Sequence, residues 1–179
     1  RSRAYNIHAV ENILYTEQEI QDAIEKLAKQ IESYYKDRDW VALIVYNGAI
    51  FFAADLLRKI DGNYKIAGIQ TSSYNGGFVS EDLKIVGDIE CKDKHVLIID
   101  DIYDTGKTLR TLSQRLHDKG ALTVECCVLL NKDIPKSHPV DVLFRCFTIP
   151  NKFVYGYGLD INGRFRNLKY IAAYEPQST

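Results

Sequence analysis

Apolar residues recur along this chain in two rhythms. Ile20, Ala23, Ile24, Leu27 and Ile31 lie three or four apart with Glu, Lys and Gln between them, the spacing of an amphipathic helix with one face on a core. Thr16 followed by Glu19 has the form of a capping box and marks where that helix begins, and the charged stretch Lys36-Asp37-Arg38-Asp39 ends it. Trp40 to Tyr46 is instead apolar without interruption, which predicts a strand buried on both faces, as in parallel sheets. Asn47-Gly48 turns the chain into a shorter helix carrying Ile50, Phe51, Ala54, Leu57 and Arg58, which stops before Asp61-Gly62. Tyr64 to Ser72 reads as the next strand. Residues 74–82, with Gly76 and Gly77 among polar side chains, break every periodicity and read as a mobile loop.

A short strand is predicted over Lys84 to Ile89, and a buried one over His95 to Ile99 that closes on Asp100 and Asp101. Leu109, Leu112 and Leu116 predict a helix stopped by Lys119-Gly120, with Gly where helices end. Thr123 to Leu130 is a further strand, and residues 131–139, with Pro135 and Pro139, are a connection. Val140 to Ile149 and Leu168 to Tyr174 are late strands separated by the run Phe153 to Asp160, while residues 1–15 carry little pattern and suit an N-terminal arm. Alternating strands and helices predict an α/β fold with a mostly parallel sheet. Ligands of such sheets bind beyond the carboxyl ends of the strands. Asn47-Gly48, loop 74–82, Asp100 to Thr108 and Lys132 all follow candidate strands, so they can share one rim.

Composition narrows the class. A chain of 179 residues fits one domain, and 46% apolar with 26% charged residues is ordinary for a globular protein. A formal net charge of −1 gives no basic footprint for nucleic acid. No apolar run approaches the ~20 residues of a membrane span, and no signal-like apolar segment opens the chain. Cys91, Cys126, Cys127 and Cys146 form no C-x-x-C pair and are expected as reduced thiols in apolar space, which suits the cytoplasm. The four His are scattered, and the absence of any Met, initiator included, is expected of a trimmed chain.

The chemistry concentrates in His95-Val-Leu-Ile-Ile-Asp100-Asp101-Ile-Tyr-Asp104-Thr105-Gly106-Lys107-Thr108. Gly106 permits backbone geometry closed to other residues, successive N–H groups can form a nest, and the helix behind contributes its positive end, so a phosphate dianion fits. Gly106-Lys107-Thr108 matches the end of a nucleotide-triphosphate loop, but that loop needs a glycine where this chain has Asp101. Two adjacent carboxylates raise each other's pKa. Either they cap the following turn, or a ligand with paired hydroxyls, or a divalent cation, offsets the repulsion. A ribose 5-phosphate meets all of these demands.

This stretch resembles the phosphoribosyl diphosphate (PRPP) signature of the type I phosphoribosyltransferases. Lys132 after a strand, Phe153-Val154, Gly156-Tyr157-Gly158-Leu159-Asp160 and Phe165-Arg166 extend the resemblance to the hypoxanthine-guanine branch, in order from about residue 40 to 175. The resemblance implies a single domain over 1–179, with a core at roughly 38–150 and a small hood from the N-terminal arm and roughly 151–179. It implies transfer of the phosphoribosyl group from PRPP to N9 of hypoxanthine or guanine, with Mg²⁺, in a cytoplasmic homodimer or homotetramer. A PRPP- or nucleotide-sensing regulatory protein of the same fold, and a xanthine-preferring enzyme, are the alternatives.

Roles follow by the same resemblance. Asp100 and Asp101 hold the ribose hydroxyls, and Asp104, Thr105, Gly106, Lys107 and Thr108 hold the 5-phosphate, with Asp104 also the proton-transfer group near purine N7. Lys132 donates to O6, Phe153 stacks on the base, and Val154 meets its edge. Asp160 serves the base and magnesium site, with Asp100 and Asp101 as further metal candidates. Asn47, Gly48 and Arg166 face the diphosphate, and Ser73-Tyr74 matches the dipeptide of the lid. Where the family often carries Lys-Gly this chain has Asn47-Gly48. Weaker PRPP binding, or compensation by Arg166 or Lys107, is therefore expected.

Overall fold

A computed structural model describes residues 12–73, 83–86 and 89–174. Tyr74 and the rest of the expected lid to Asp82 lie outside the described residues, as do residues 1–11. A six-stranded sheet has the order β4-β3-β2-β5-β6-β7, built from β2 (Trp40–Tyr46), β3 (Lys65–Ser73), β4 (Leu83–Val86), β5 (His95–Tyr103), β6 (Thr123–Lys132) and β7 (Phe144–Ile149). Five of these strands run parallel, and β4 pairs antiparallel at the edge. A second, three-stranded sheet joins β1 (Asn12–Tyr15), β9 (Ile171–Ala173) and β8 (Val154–Tyr155). This is the mixed α/β architecture that the alternation predicts.

The uninterrupted apolar strands are explained by their two covered faces. Val41, Leu43, Val45, Val96, Ile98, Cys126 and Val128 pack with Leu109, Leu112 and Leu116 of α3 (Lys107–Asp118). Their sequence neighbours Ala42, Ile44, Leu97, Ile99, Cys127 and Leu129 join the core beneath α1 (Glu17–Tyr35) and α2 (Ile50–Leu57). Side chains alternate across a strand, so adjacent Cys126 and Cys127 enter opposite layers. No disulfide joins the four cysteines, and burial pushes the Cys126 thiol up to about 12. No described helix is long and apolar enough to cross a membrane.

Helix α1 begins where the capping box places it: Glu19 N donates to Thr16 Oγ1 at 3.3 Å, and Thr16 N donates to Glu19 Oε2 at 2.9 Å. In α2 the face differs from expectation. Phe52, Ala53, Leu56 and Leu57 are buried, whereas Ile50 and Phe51 are exposed. Its sequence, IFFAADLL, is apolar nearly all round and so does not mark an inner face. Its rotation accords with contacts at Asp55, whose carboxylate accepts from Tyr157 Oη at 2.5 Å and Gln21 Nε2 at 2.9 Å.

Strand lengths also differ. β5 runs through the acid pair to Tyr103, and β6 runs on to Lys132, because the two strands keep pairing as far as Tyr103 opposite Asn131. β7 starts only at Phe144. Val140 is drawn aside by Tyr103, whose hydroxyl accepts from Val140 N at 3.0 Å and donates to Val140 O at 3.1 Å. β9 omits Leu168, which closes a turn with Phe165 and accepts from Tyr157 N.

Candidate active site

A cleft of about 430 Å³ opens at the carboxyl edge of the parallel strands. It brings together Gly48 after β2, Asp100 and Asp101 on β5, Asp104, Thr105, Gly106, Lys107 and Thr108 leading into α3, and Asp160 and Arg166 from beyond β8. These residues are more than a hundred positions apart in sequence, and the sheet order explains why they meet. Tyr46 and Thr71, which the sequence reading did not single out, also line the cleft.

Asp100 is 7% exposed and is the one charged residue in the core among the described residues. Its Oδ1 accepts from Asp101 N at 2.9 Å, and Asp101 Oδ1 accepts from Ile102 N at 2.7 Å. Burial, and then the charge of Asp101, pushes the Asp100 carboxyl well above the usual range. Asp101 is also raised by burial, but its bonds to Asp100 and Ile102 and the nearby Arg166 guanidinium pull it back. Each acid therefore takes a local backbone N–H, and the pair still faces the cleft. Gly48 is what lets Asp101 in, because an added Cβ there would run into the Asp101 carboxylate. Gly158 performs the same service for the Gly48 carbonyl, against which it packs.

The turn after β5 suits an anion. Gly106 has φ +88° and precedes α3, whose dipole favours negative charge at this end, and Lys107 N donates to Thr105 Oγ1 at 3.4 Å. The turn is backed by the connection to β7: His138 N donates to Thr105 O at 3.0 Å, and a Cβ at Gly106 would meet the His138 carbonyl. Both positive φ and contact forbid a side chain. Gly106→Ala is expected to cost about 1–3 kcal/mol, read as a lower urea midpoint with an unchanged m-value.

The acid pair's neighbours are themselves paired. Lys132 Nζ and Asp104 Oδ2 are 2.9 Å apart, placed by the next position of each strand beyond the last β5–β6 pair. Arg166 donates to Gly158 O at 2.6 Å and lies 3.0 Å from Asp160, whose other oxygen accepts from Gly163 N at 2.6 Å. Asn47 lies in an adjoining groove with Phe165 and Arg166, so Arg166 is common to both. Phe153 is 55% exposed and stands edge-on to Tyr174, 6.0 Å between ring centroids, and Val154 is buried in β8. Lys132, Phe153, Val154 and Asn47 are not among the described residues that line the main cleft. Ser73 ends β3, and its partner in the expected lid, Tyr74, is outside the described residues.

No group of three or more His, Cys, Asp or Glu among the described residues is arranged to hold a metal. The donor chemistry still fits Mg²⁺, which is commonly held by one or two carboxylates together with substrate phosphates and water. Asp100, Asp101 and Asp160 supply carboxylates on one cleft.

The chain is similar to known proteins over most of its length. The phosphoribosyl transferase domain family matches residues 10–162. The hypoxanthine-guanine phosphoribosyltransferase of Streptococcus pneumoniae (strain R6) is 35% identical over 165 residues, covering 90% of this chain and 92% of that protein. The hypoxanthine-guanine-xanthine phosphoribosyltransferase of Tritrichomonas foetus is 34% identical over 165 residues, 90% of each. Among solved structures, a hypoxanthine phosphoribosyltransferase from Staphylococcus aureus superposes with a TM-score of 0.87 at 33% identity, covering 92% of this chain and 91% of that one.

Proposed function

This chain belongs to the phosphoribosyltransferase family, and on that premise we propose that its cleft moves the 5-phosphoribosyl group of PRPP to N9 of hypoxanthine or guanine. The N9–C1 bond forms as the bond from C1 to the diphosphate oxygen breaks, giving IMP or GMP and diphosphate. The observation that carries this reading is the Lys132–Asp104 pair at 2.9 Å. It sets a cation able to donate to O6 beside a carboxylate able to take the N7 proton, next to the ribose-phosphate motif.

In this reading the chain's residues divide the substrate between them. Asp100 and Asp101 accept the 2- and 3-hydroxyls of the ribose, and the turn from Asp104 to Thr108 holds the 5-phosphate by N–H and hydroxyl donors. Asp104 removes the N7 proton as N9 attacks. Lys132 favours a 6-oxo acceptor over the donor amino group of adenine. The exposed Phe153 ring offers a face for stacking, and the backbone at Val154 meets the base edge. Gly48 and Asn47 meet the diphosphate by backbone and amide, with Arg166 at its other side. Ser73 and Tyr74 begin the lid that excludes water.

The carboxylates of Asp160, Asp100 and Asp101 would hold Mg²⁺, which would supply positive charge to offset that building on the departing diphosphate. The chain acts as one domain over 1–179, with a core at roughly 38–150 and a hood from the N-terminal arm and roughly 151–179, as a cytoplasmic homodimer or homotetramer. Support for the compartment is that the four cysteines form no disulfide. The reading is tested by following IMP formation from PRPP and hypoxanthine. EDTA is expected to stop turnover and added Mg²⁺ to restore it. Turnover that persists in excess EDTA would contradict the metal's role.

A further inference from the structure

Lys136 sits in the segment after β6, which by sequence is a connection containing Pro135 and Pro139. Its ammonium is spent inside the protein. Nζ donates to Tyr103 O at 3.0 Å and to Lys132 O at 2.6 Å, and it stands 4.3 Å over the centre of the Tyr103 ring. One cation thus bridges the last carbonyls of two adjacent parallel strands, with a cation–π contact behind it.

Those two carbonyls have particular owners. Tyr103 immediately precedes Asp104, and Lys132 is itself the other member of the 2.9 Å pair. The β5–β6 ladder stops at Tyr103 opposite Asn131, so beyond it no strand pairing fixes the distance between the two backbones. Lys136 ties them where the ladder ends. An ammonium has three donors and holds carbonyl oxygens by charge-assisted bonds, which a neutral side chain of similar length lacks.

We propose that Lys136 is a positioning residue for purine readout, holding the backbones of Asp104 and Lys132 at the separation that N7 and O6 require. The inference rests on the transferase reading above. Misplacing a reacting or recognising group by ~1 Å can cost about a hundredfold, so the effect is measurable. Lys136 acts on the base-reading pair, whereas the rest of the phosphate turn has its own tie from His138 N to Thr105 O at 3.0 Å, so its loss falls chiefly on ligands that carry a base.

The test compares IMP with ribose 5-phosphate by titration calorimetry on the whole chain. For Lys136→Met, the Kd for IMP is expected to rise by about tenfold or more and that for ribose 5-phosphate to stay within about twofold. Lys136→Arg, whose guanidinium can bridge two carbonyls, is expected to regain IMP affinity to within about threefold of wild type. If Lys136→Met fails to fold by circular dichroism, Lys136→Leu, which also lacks any donor, carries the same comparison. Equal weakening of both ligands, unchanged IMP binding, or no recovery with Arg overturns the positioning role. A wild-type chain that binds ribose 5-phosphate but not IMP overturns the transferase reading, and this inference with it.

Discussion

Asp104→Asn is expected to lower kcat by about 10²–10⁴-fold, the usual contribution of a positioned acid or base, while PRPP affinity stays within about threefold. The asymmetry follows from where the charge is used. An amide keeps the volume of Asp104 and an oxygen that can still accept from Lys132 at the observed 2.9 Å, so the geometry of the phosphate turn survives. It cannot take the N7 proton as N9 bonds to C1. Lys132 would also lose its counter-charge beside the base. Pre-steady-state turnover with PRPP titration separates the two quantities. An unchanged kcat would remove Asp104 from the chemistry, and a parallel loss of PRPP binding would make its role structural.

Asp100→Asn should act in opposite directions on activity and stability. Asp100 is buried, and both burial and Asp101 raise its carboxyl well above the usual range. Between the unfolded value near 4 and the folded value, the native state binds more protons than the unfolded one, so stability is fullest at low pH and falls as pH rises through that window. The amide removes this penalty while its oxygen can still accept from Asp101 N. We expect a gain of about 1 kcal/mol or more at pH 8, or a Tm higher by roughly 2–4 °C. The difference should shrink near pH 5, with kcat/KM for PRPP down by about a hundredfold or more. A Tm that falls at pH 8 would contradict the account of a buried, costly acid pair kept for its ligand.

Several parts of this fold were legible because their causes are local. The Thr16/Glu19 box, the apolar run of β2 and the Leu109-Leu112-Leu116 stripe each specify an element within one turn or strand, and each forms as predicted. The PRPP stretch is of the same kind, since strand, acid pair, turn and helix are contiguous. Helix α2 was harder, because a segment apolar on all sides does not mark its inner face. That face is held instead by Asp55, through Tyr157, 102 residues away.

What sequence could not show is mainly contact between distant segments. Gly48 is a glycine because Asp101 lies against it, and Gly158 because the Gly48 carbonyl does. Neither reason exists in the neighbouring residues. Lys136 was missed because a lysine after a proline looks solvated, although its place just beyond a rim strand was a usable signal. Asp160 and Arg166 were singled out separately, but their 3.0 Å pairing, and the Arg166 bond to Gly158, depend on a turn that no periodicity marks.

The central claim is that this cleft joins PRPP to a 6-oxopurine, and one side-by-side assay tests it most directly. Nucleotide formation from PRPP and Mg²⁺ is measured with hypoxanthine, guanine, xanthine and adenine at equal concentration. Turnover is predicted with hypoxanthine, guanine or both, and none with adenine, because Lys132 offers a donor where adenine also carries one. Turnover with adenine alone, or with no base at all, would contradict it.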